Sequence, residues 1–453
     1  MIKELTIDKK NINKQFNHYV VLSMIAMLFS GMYSIIDGLF VGNSIGNVGL
    51  AAINIVYPIQ VVLNATAVGI GIGGSVMVSM YKGEEKEGEM HHTAVITIML
   101  LLGFGILLPV IFLFTKGTLI NFLGAEGAIF DGANEYITTI LIGGMLPVLG
   151  NGLNPIVRNQ GKPAIATRNM VSGLVTNIVL DYVFIYKMQL GMFGAALATI
   201  TAQGVVATLN LIYVIKINKS NFHLSYLKLD FKKVKRIFKI AVSPFGQTIV
   251  PSIIIVLTNW KCLEYGGAGA AAIYSVISYV LACAQLLIQG IGDGVQPLFS
   301  YYFGAGKKKE LDYIYNRAFL VSIVFSILLM IATMAFSVQL ANYFNISAEL
   351  VAETSTALRM TAAAYLFFAV TRVTSAYFYA TNFTKFSNLL IYIEPIVIAP
   401  LMLLVLTKIF GLTGVWLAYP AIQSLLSLIS LIFKSPNREI KSVAAMQQIA
   451  QEI

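Results

Sequence analysis

The sequence predicts an all-α polytopic membrane protein with twelve transmembrane helices in two six-helix lobes. Three observations carry that prediction. Of 453 residues, 57% are hydrophobic and only 11% charged, whereas a soluble domain carries roughly 25% charged residues. Apolar runs of about twenty residues or more, long enough to cross a bilayer as a helix, recur along the whole chain. The second half also repeats the pattern of the first. Length alone would suggest about three soluble domains at ~150 residues each, and composition overrules it.

Taken in order, a cytoplasmic tail (1–15) precedes the first run, which begins at Phe16. That run is too long for a signal-peptide core, and no small-residue cleavage site follows it. Spans are expected near 16–41, 50–80, 92–114, 134–157, 164–187 and 190–215, forming the first lobe (16–215). A basic linker (216–236) follows. The second lobe (237–434) holds spans near 237–261, 270–300, 312–337, 353–380, 386–408 and 412–434, and a tail (435–453) ends the chain.

Positive charge orients these spans. With the N-terminus inside, the tails, the linker and the inner loops take nearly every Lys and Arg, among them Lys3, Lys82, Arg158, Lys219, Lys307, Arg438 and Lys441. Only Lys116, Lys187, Lys261 and Lys408 fall outside, and Arg359 and Arg372 lie in or at a span. Both termini are therefore expected in the cytoplasm, and the net charge of +10 is a topology signal that requires no nucleic acid.

Self-comparison at an offset of 220 residues supports the two halves. Gly46, Gly49, Ala51, Ala52, Ile53 and Val56 recur as Gly266, Gly269, Ala271, Ala272, Ile273 and Val276. Gly191, Gly194, Leu197 and Ala198 recur as Gly411, Gly414, Leu417 and Ala418. Each half starts and ends inside, so the repeat is parallel. Two such lobes suit alternating access better than a fixed pore.

The repeat also isolates the unusual residues. Asp37 maps to Leu257, Asn177 to Val397 and Asp181 to Leu401, so the scaffold tolerates apolar side chains at all three positions. An ionised Asp in hydrocarbon costs at least ~2.5–3.5 kcal/mol, which calls for an added reason to keep it. Asp37 and Asp181 are each expected roughly 8 Å below the outer boundary. Asn177 and Asp181, four residues apart, share a helix face, and Thr199 starts from the same side, somewhat deeper. These four side chains make an oxygen-rich candidate site for a hard monovalent cation or a shared proton. A second group, Asp293, Arg372 and Glu394, lies roughly 12–13 Å from the inner helix ends. An inner gate, a second coupling site and a structural ion pair are all open for it.

Several motifs imply no chemistry. Gly290-Ile-Gly-Asp293 matches the GxGD of intramembrane aspartyl proteases, but no Tyr-Asp pair supplies the second carboxyl. Gly304-Ala-Gly-Lys307 lacks the leading Gly and the Ser/Thr of a phosphate-binding loop. Gly69-Ile-Gly-Ile-Gly-Gly74 lies mid-span, where it suggests close packing or bending. Cys262 and Cys283 are expected as small packing residues. His18, His91, His92 and His223 are placed in or near loops, with His91-His92 as a solvated pair. The protein is thus not expected to be an enzyme or to hold a cofactor, and an ion gradient would drive it. Aromatic and methionine side chains such as Tyr33, Phe40, Tyr57, Met145, Tyr274 and Tyr279 suit flat cationic ligands, although lipid-facing packing competes as a role for each.

Ile36-Asp37-Gly-Leu-Phe-Val-Gly42, Arg158-Asn-Gln-Gly-Lys-Pro163, Gly290–Pro297 and Tyr301-Tyr-Phe-Gly-Ala-Gly306 resemble the multidrug and toxic compound extrusion (MATE) family over all but the two tails. Asp37, Asn177, Asp181 and Thr199 match the branch whose cation site lies in the N-terminal lobe. The acidic residues that other members carry on the seventh and tenth helices are missing here: Glu264 lies just past the seventh, and the tenth has Arg372. The resemblance implies antiport of cationic, amphipathic compounds out of the cell in exchange for protons or sodium. The expected setting is a multi-pass monomer in the cell membrane, with organic cations, the coupling cation and the bilayer as partners. The alternative is a lipid-linked precursor flippase of the same superfamily fold, whose members resemble fourteen-helix proteins with a cationic cavity. A passive channel or receptor fits the two-lobed repeat less well.

Overall fold

The computed structural model describes residues 8–218, 224–344 and 346–435. The ends of both expected tails, residues 219–223 of the linker, and with them Lys3, Lys219, His223, Arg438 and Lys441, lie outside the described residues. Those described are helical throughout, without a strand. The elements are α1 (Lys9–Ser44), α2 (Asn47–Gly83), α3 (Glu87–Phe122), α4 (Gly127–Ile142), α5 (Met145–Asn159), α6 (Pro163–Asp181) and α7 (Gly191–Asn218). They continue as α8 (Phe231–Gly304), α9 (Lys308–Ala335), α10 (Ser337–Tyr343), α11 (Val351–Ala362), α12 (Ala364–Ala380), α13 (Thr384–Ile393), α14 (Ala399–Phe410) and α15 (Leu412–Lys434).

Among the described residues nine helical stretches are long and apolar enough to cross a membrane, and ten if the bent pair α4–α5 counts as one span. Two local breaks account for the distance from twelve. Gly267 interrupts α8 with φ 61°, a backbone state that glycine adopts without steric cost, so α8 is two helices end to end. The span expected at 353–380 is built from α11 and α12, which meet at Ala363 and are each shorter than a crossing. The fourth expected span bends by 58° between α4 and α5. Its hinge is Gly143-Gly144, where little side-chain bulk resists the bend.

The turn chemistry is local and readable. In Arg158–Pro163, Gly161 takes φ +100° just beyond α5, and Pro163 opens α6, the usual places for a left-handed stop and a donor-free start. Gly306 closes Tyr301–Gly306 in the same way, at φ +66°. Asp230 caps α8 by accepting from the Lys232 and Lys233 amides at 2.9 and 3.3 Å, satisfying two orphan donors of the first turn.

Two compact units emerge. The first comprises Met1–Ile249 with Asp293–Ile314, and the second Val250–Gly292 with Tyr315–Ile453. Both ends of α8 thus pack with the first unit, across the boundary that the sequence halves suggest. The reason is close backbone approach between α2 and the end of α8. A Cβ on Gly83 would meet the Tyr301 carbonyl, and one on Gly304 the Met80 carbonyl, so the two helix ends touch reciprocally. Ser79 donates to the Pro297 carbonyl at 2.9 Å, and the amides of Asn159 and Gln296 bond each other both ways at 3.1 Å. Such small-residue contacts associate helices where lipid supplies no hydrophobic drive.

The glycines of α2 serve packing, with Gly71 against Gly152, Gly73 against Ile237 and Gly74 against Thr97. Three local expectations change. His18 lies within α1, and His91 is buried in α3. His92 stacks on Tyr226 and receives the Lys233 ammonium on Nδ1 at 2.7 Å. Its Nε2 is then the protonated nitrogen and donates to the Lys228 carbonyl at 3.0 Å. The linker residues 226–233 are therefore fastened to α3, and of the histidine pair His91 is buried and His92 partly so. Cys262 packs in a core, whereas Cys283 sits on an exposed face.

Candidate functional site

Each member of the predicted oxygen-rich site comes from a helix of the first unit: Asp37 from α1, Asn177 and Asp181 from α6, and Thr199 from α7. Helix packing brings them together, since α6 lies against both α1 and α7. Asn177 and Asp181 are fully buried and Asp37 is 9% exposed. The Asp37 carboxylate faces the Thr199 hydroxyl and the Asn177 amide. Asp181 faces the same amide and, through space, Asp37. No pair closes into a hydrogen bond. Both Asp181 oxygens, Asp37 Oδ1, both Asn177 amide atoms and Thr199 Oγ1 are buried without a partner. Buried polar atoms are rarely left so, and several here converge on one point.

The depths differ from the helix count. Helix α1 runs on to Ser44, so Asp37 sits seven residues from its end, about 10 Å. Asp181 is the last α-helical residue of α6, and a π-helical turn, Tyr182–Lys187, continues the chain. Such turns are scarce and concentrate at functional sites.

Four further polar side chains belong to this place and escaped the sequence reading as site members. The Tyr33 hydroxyl faces Thr199, Gln203 and both aspartates. Tyr136 of α4 faces Gln60, Thr199 and Asp37. Tyr33 OH, Gln203 Oε1 and Gln60 Nε2 are also buried without hydrogen-bond partners. The missed signal was spacing: Tyr33/Asp37 and Thr199/Gln203 are four residues apart, as Asn177/Asp181 are, which gives one polar face on each of three helices.

A cavity of about 260 Å³ adjoins the cluster and shares Tyr33 and Thr199 with it. Tyr57, Gln60, Asn64, Asn151 and Gln203 also line it, together with Phe29 and Met170, and among the described residues no Lys, Arg, Asp or Glu does. The other aromatics serve packing: Phe40 meets Tyr186 edge-on, Tyr279 stacks on Phe344, and Tyr274 is buried in the second unit's core. Among the described residues no three His, Cys, Asp or Glu side chains gather as a metal cluster. The donor set here is two carboxylates with neutral oxygens, which suits a hard cation or a proton.

Within the second unit, Arg372 and Glu394 of the second expected group do not pair. Arg372 lies against Gly292, while Glu394 Oε1 accepts from Gln423 Nε2 at 2.7 Å. An amide, and not the guanidinium of Arg372, holds Glu394.

A family model described as MatE matches residues 23–183 and again 245–404, once in each half of the chain. The chain belongs to the MATE family. It is 25% identical over 409 residues to the multidrug export protein MepA of Staphylococcus haemolyticus, covering 90% of each chain. To MepA of Staphylococcus aureus N315 it is 23% identical over 426 residues, 94% of each. A MATE crystal structure in the bent conformation superposes with a TM-score of 0.88 at 22% identity, covering 97% of both chains. An outward-facing MATE multidrug resistance transporter of the MOP superfamily gives 0.88 at 22%, covering 98% of this chain and 100% of that one. These structural likenesses establish the fold. The paired match also accords with the internal repeat, and this MATE protein is a multi-pass membrane transporter.

Proposed function

We propose that this MATE protein exports cationic, amphipathic compounds in exchange for protons or sodium. The coupling cation would bind at Asp37, Asn177, Asp181 and Thr199. One observation carries the reading: two buried carboxylates converge with an amide and a hydroxyl whose polar atoms lack partners, beside a cavity with aromatic walls. The kinship with MepA proteins supports multidrug export.

The coupling logic needs no other chemistry. Carboxylates facing one another share a proton or accept a cation, and the conformation that holds them together gains that binding energy. A ligand that prefers another conformation is then exchanged against the ion. Tyr33, Tyr57 and Phe29 offer π faces to a flat cation, and Met170 adapts its shape to different guests. A lipid-linked precursor would bring phosphate charge into the cavity, beside the two carboxylates of the adjoining cluster. The site therefore favours drug-like cations over a flippase substrate. In this reading the protein works in the cell membrane with both termini inside.

Reconstituted vesicles loaded with a fluorescent organic cation test the coupling. Imposing a proton gradient and a sodium gradient separately should accelerate export with one or both. Equal rates with and without each gradient would remove the antiport reading.

A further inference from the structure

The second unit half-buries a carboxyl, Glu394, that the acidic cluster and the cavity do not use. Glu394 opens a five-residue π turn, Glu394–Ile398, between α13 and α14. The next residue is Pro395, whose ring clashes with the carbonyl four residues back and whose missing N–H breaks the ladder. Isoleucines 391, 398 and 422 pack beside it with Val250, Ile254 and Leu426 as an apolar cluster.

Its polar surroundings are few. From α15, Gln423 donates Nε2 to Glu394 Oε1 at 2.7 Å, and Tyr419 faces the carboxyl from one turn earlier. From α8, Gln285 donates to the Tyr419 hydroxyl at 2.6 Å. Tyr274 and Tyr365 stand behind Tyr419. Arg372 of α12 makes no ion pair with Glu394. The facing groups are thus neutral amides and phenols. Gln423 is 1% exposed, yet its own Oε1 is buried without a donor.

That orphan acceptor decides the chemistry. An ionised Glu394 has only acceptors: it takes the Gln423 N–H and leaves that amide's oxygen buried without a donor. A neutral carboxylic acid corrects this, because its oxygen still accepts from Nε2 and its O–H is the donor that Gln423 lacks. Turning the amide over changes nothing. Oxygen would then face oxygen, a contact that only a proton makes favourable.

The internal repeat adds an independent observation. At the 220-residue offset, Tyr419 and Gln423 occupy the positions of Thr199 and Gln203, which stand beside the acidic cluster of the first unit. The second half thus keeps the glutamine and supplies its acid from the eleventh expected span.

We propose that Glu394 and Gln423 form a proton-binding site in the second unit, with Glu394 carrying the proton and the Gln423 amide recognising the neutral acid. This stands independently of what Asp37 and Asp181 bind. The test is infrared spectroscopy of the full chain in lipid, in an Asp37→Asn/Asp181→Asn background that removes the other candidate carboxyls. At neutral pH we expect a protonated-carboxyl band that disappears on adding Glu394→Gln, which keeps the side-chain shape. Gln423→Leu should move the band to higher frequency, because the acid carbonyl loses its N–H donor. A spectrum unchanged by Glu394→Gln overturns the proposal, as does a band position indifferent to Gln423→Leu. Loss of the band on adding sodium at constant pH would likewise overturn it, by assigning the carboxyl to a metal cation.

Discussion

Asn at position 37 or 181 should reduce gradient-driven efflux from loaded vesicles to the level of vesicles without protein, while the variant still inserts. Asn keeps the size and one carbonyl oxygen but can neither ionise nor exchange a proton, so a site built on two carboxylates loses its coupling ion. Folding should move the other way. Two like charges buried together are mutually unfavourable, and partnerless carboxylates are costly to bury, so removing one should leave thermal stability unchanged or raised. That opposition separates an ion site from a structural ion pair, whose disruption would lower stability. Thr199→Val should act more mildly, because it removes one neutral oxygen worth about 0.5–1.5 kcal/mol, roughly 2- to 13-fold in half-saturating ion concentration. Wild-type efflux from both Asp variants would sink the assignment.

What the sequence reveals is local and periodic, and what it hides is contact between distant segments. Apolar runs and the 220-residue repeat give an all-helical membrane protein, because length and hydropathy are properties of single segments. The break at Gly267 and the hinge at Gly143-Gly144 interrupt those runs without changing hydropathy, so a window average passes over them. The site was legible to the extent that charge in a membrane segment is costly: Asp37 and Asp181 were anomalous on those grounds alone. Tyr33, Gln203, Gln60 and Tyr136 carry no charge and gain meaning only once α1, α2, α4 and α7 are packed. Glu394 shows the same limit. Its depth was readable, but its partner Gln423 lies 29 residues away on another helix, and depth alone had suggested Arg372. His92 was misread because a His-His pair near a span end looks solvated until Lys233 and Tyr226 fold back onto it.

The second large effect is expected at Gly71. A Cβ there would fall on the Gly152 carbonyl and Cα, where backbone meets backbone and no side chain can turn aside. Gly152 also lies against the Leu101 side chain of α3, which limits how far α5 can shift. Overpacking of this kind usually costs about 1–3 kcal/mol; a backbone obstacle sets Gly71→Ala at the upper end, and Gly71→Val beyond it. Because α2 and α5 form one of the most extensive helix contacts in the first unit, the cost falls on the scaffold that also holds Thr199 and the cavity. Gly103→Ala and Gly117→Ala on α3 are the matched controls. Nothing lies within 4 Å of a Cβ at either position, and alanine is the better helix former by about 0.5–1 kcal/mol. Heating the detergent-solubilised protein and following the monodisperse fraction should therefore rank the controls at or above wild type and both Gly71 variants well below it. The glycines of Gly69–Gly74 would then be explained by helix proximity alone, without any role in binding a nucleotide. Wild-type melting of Gly71→Val would contradict this packing.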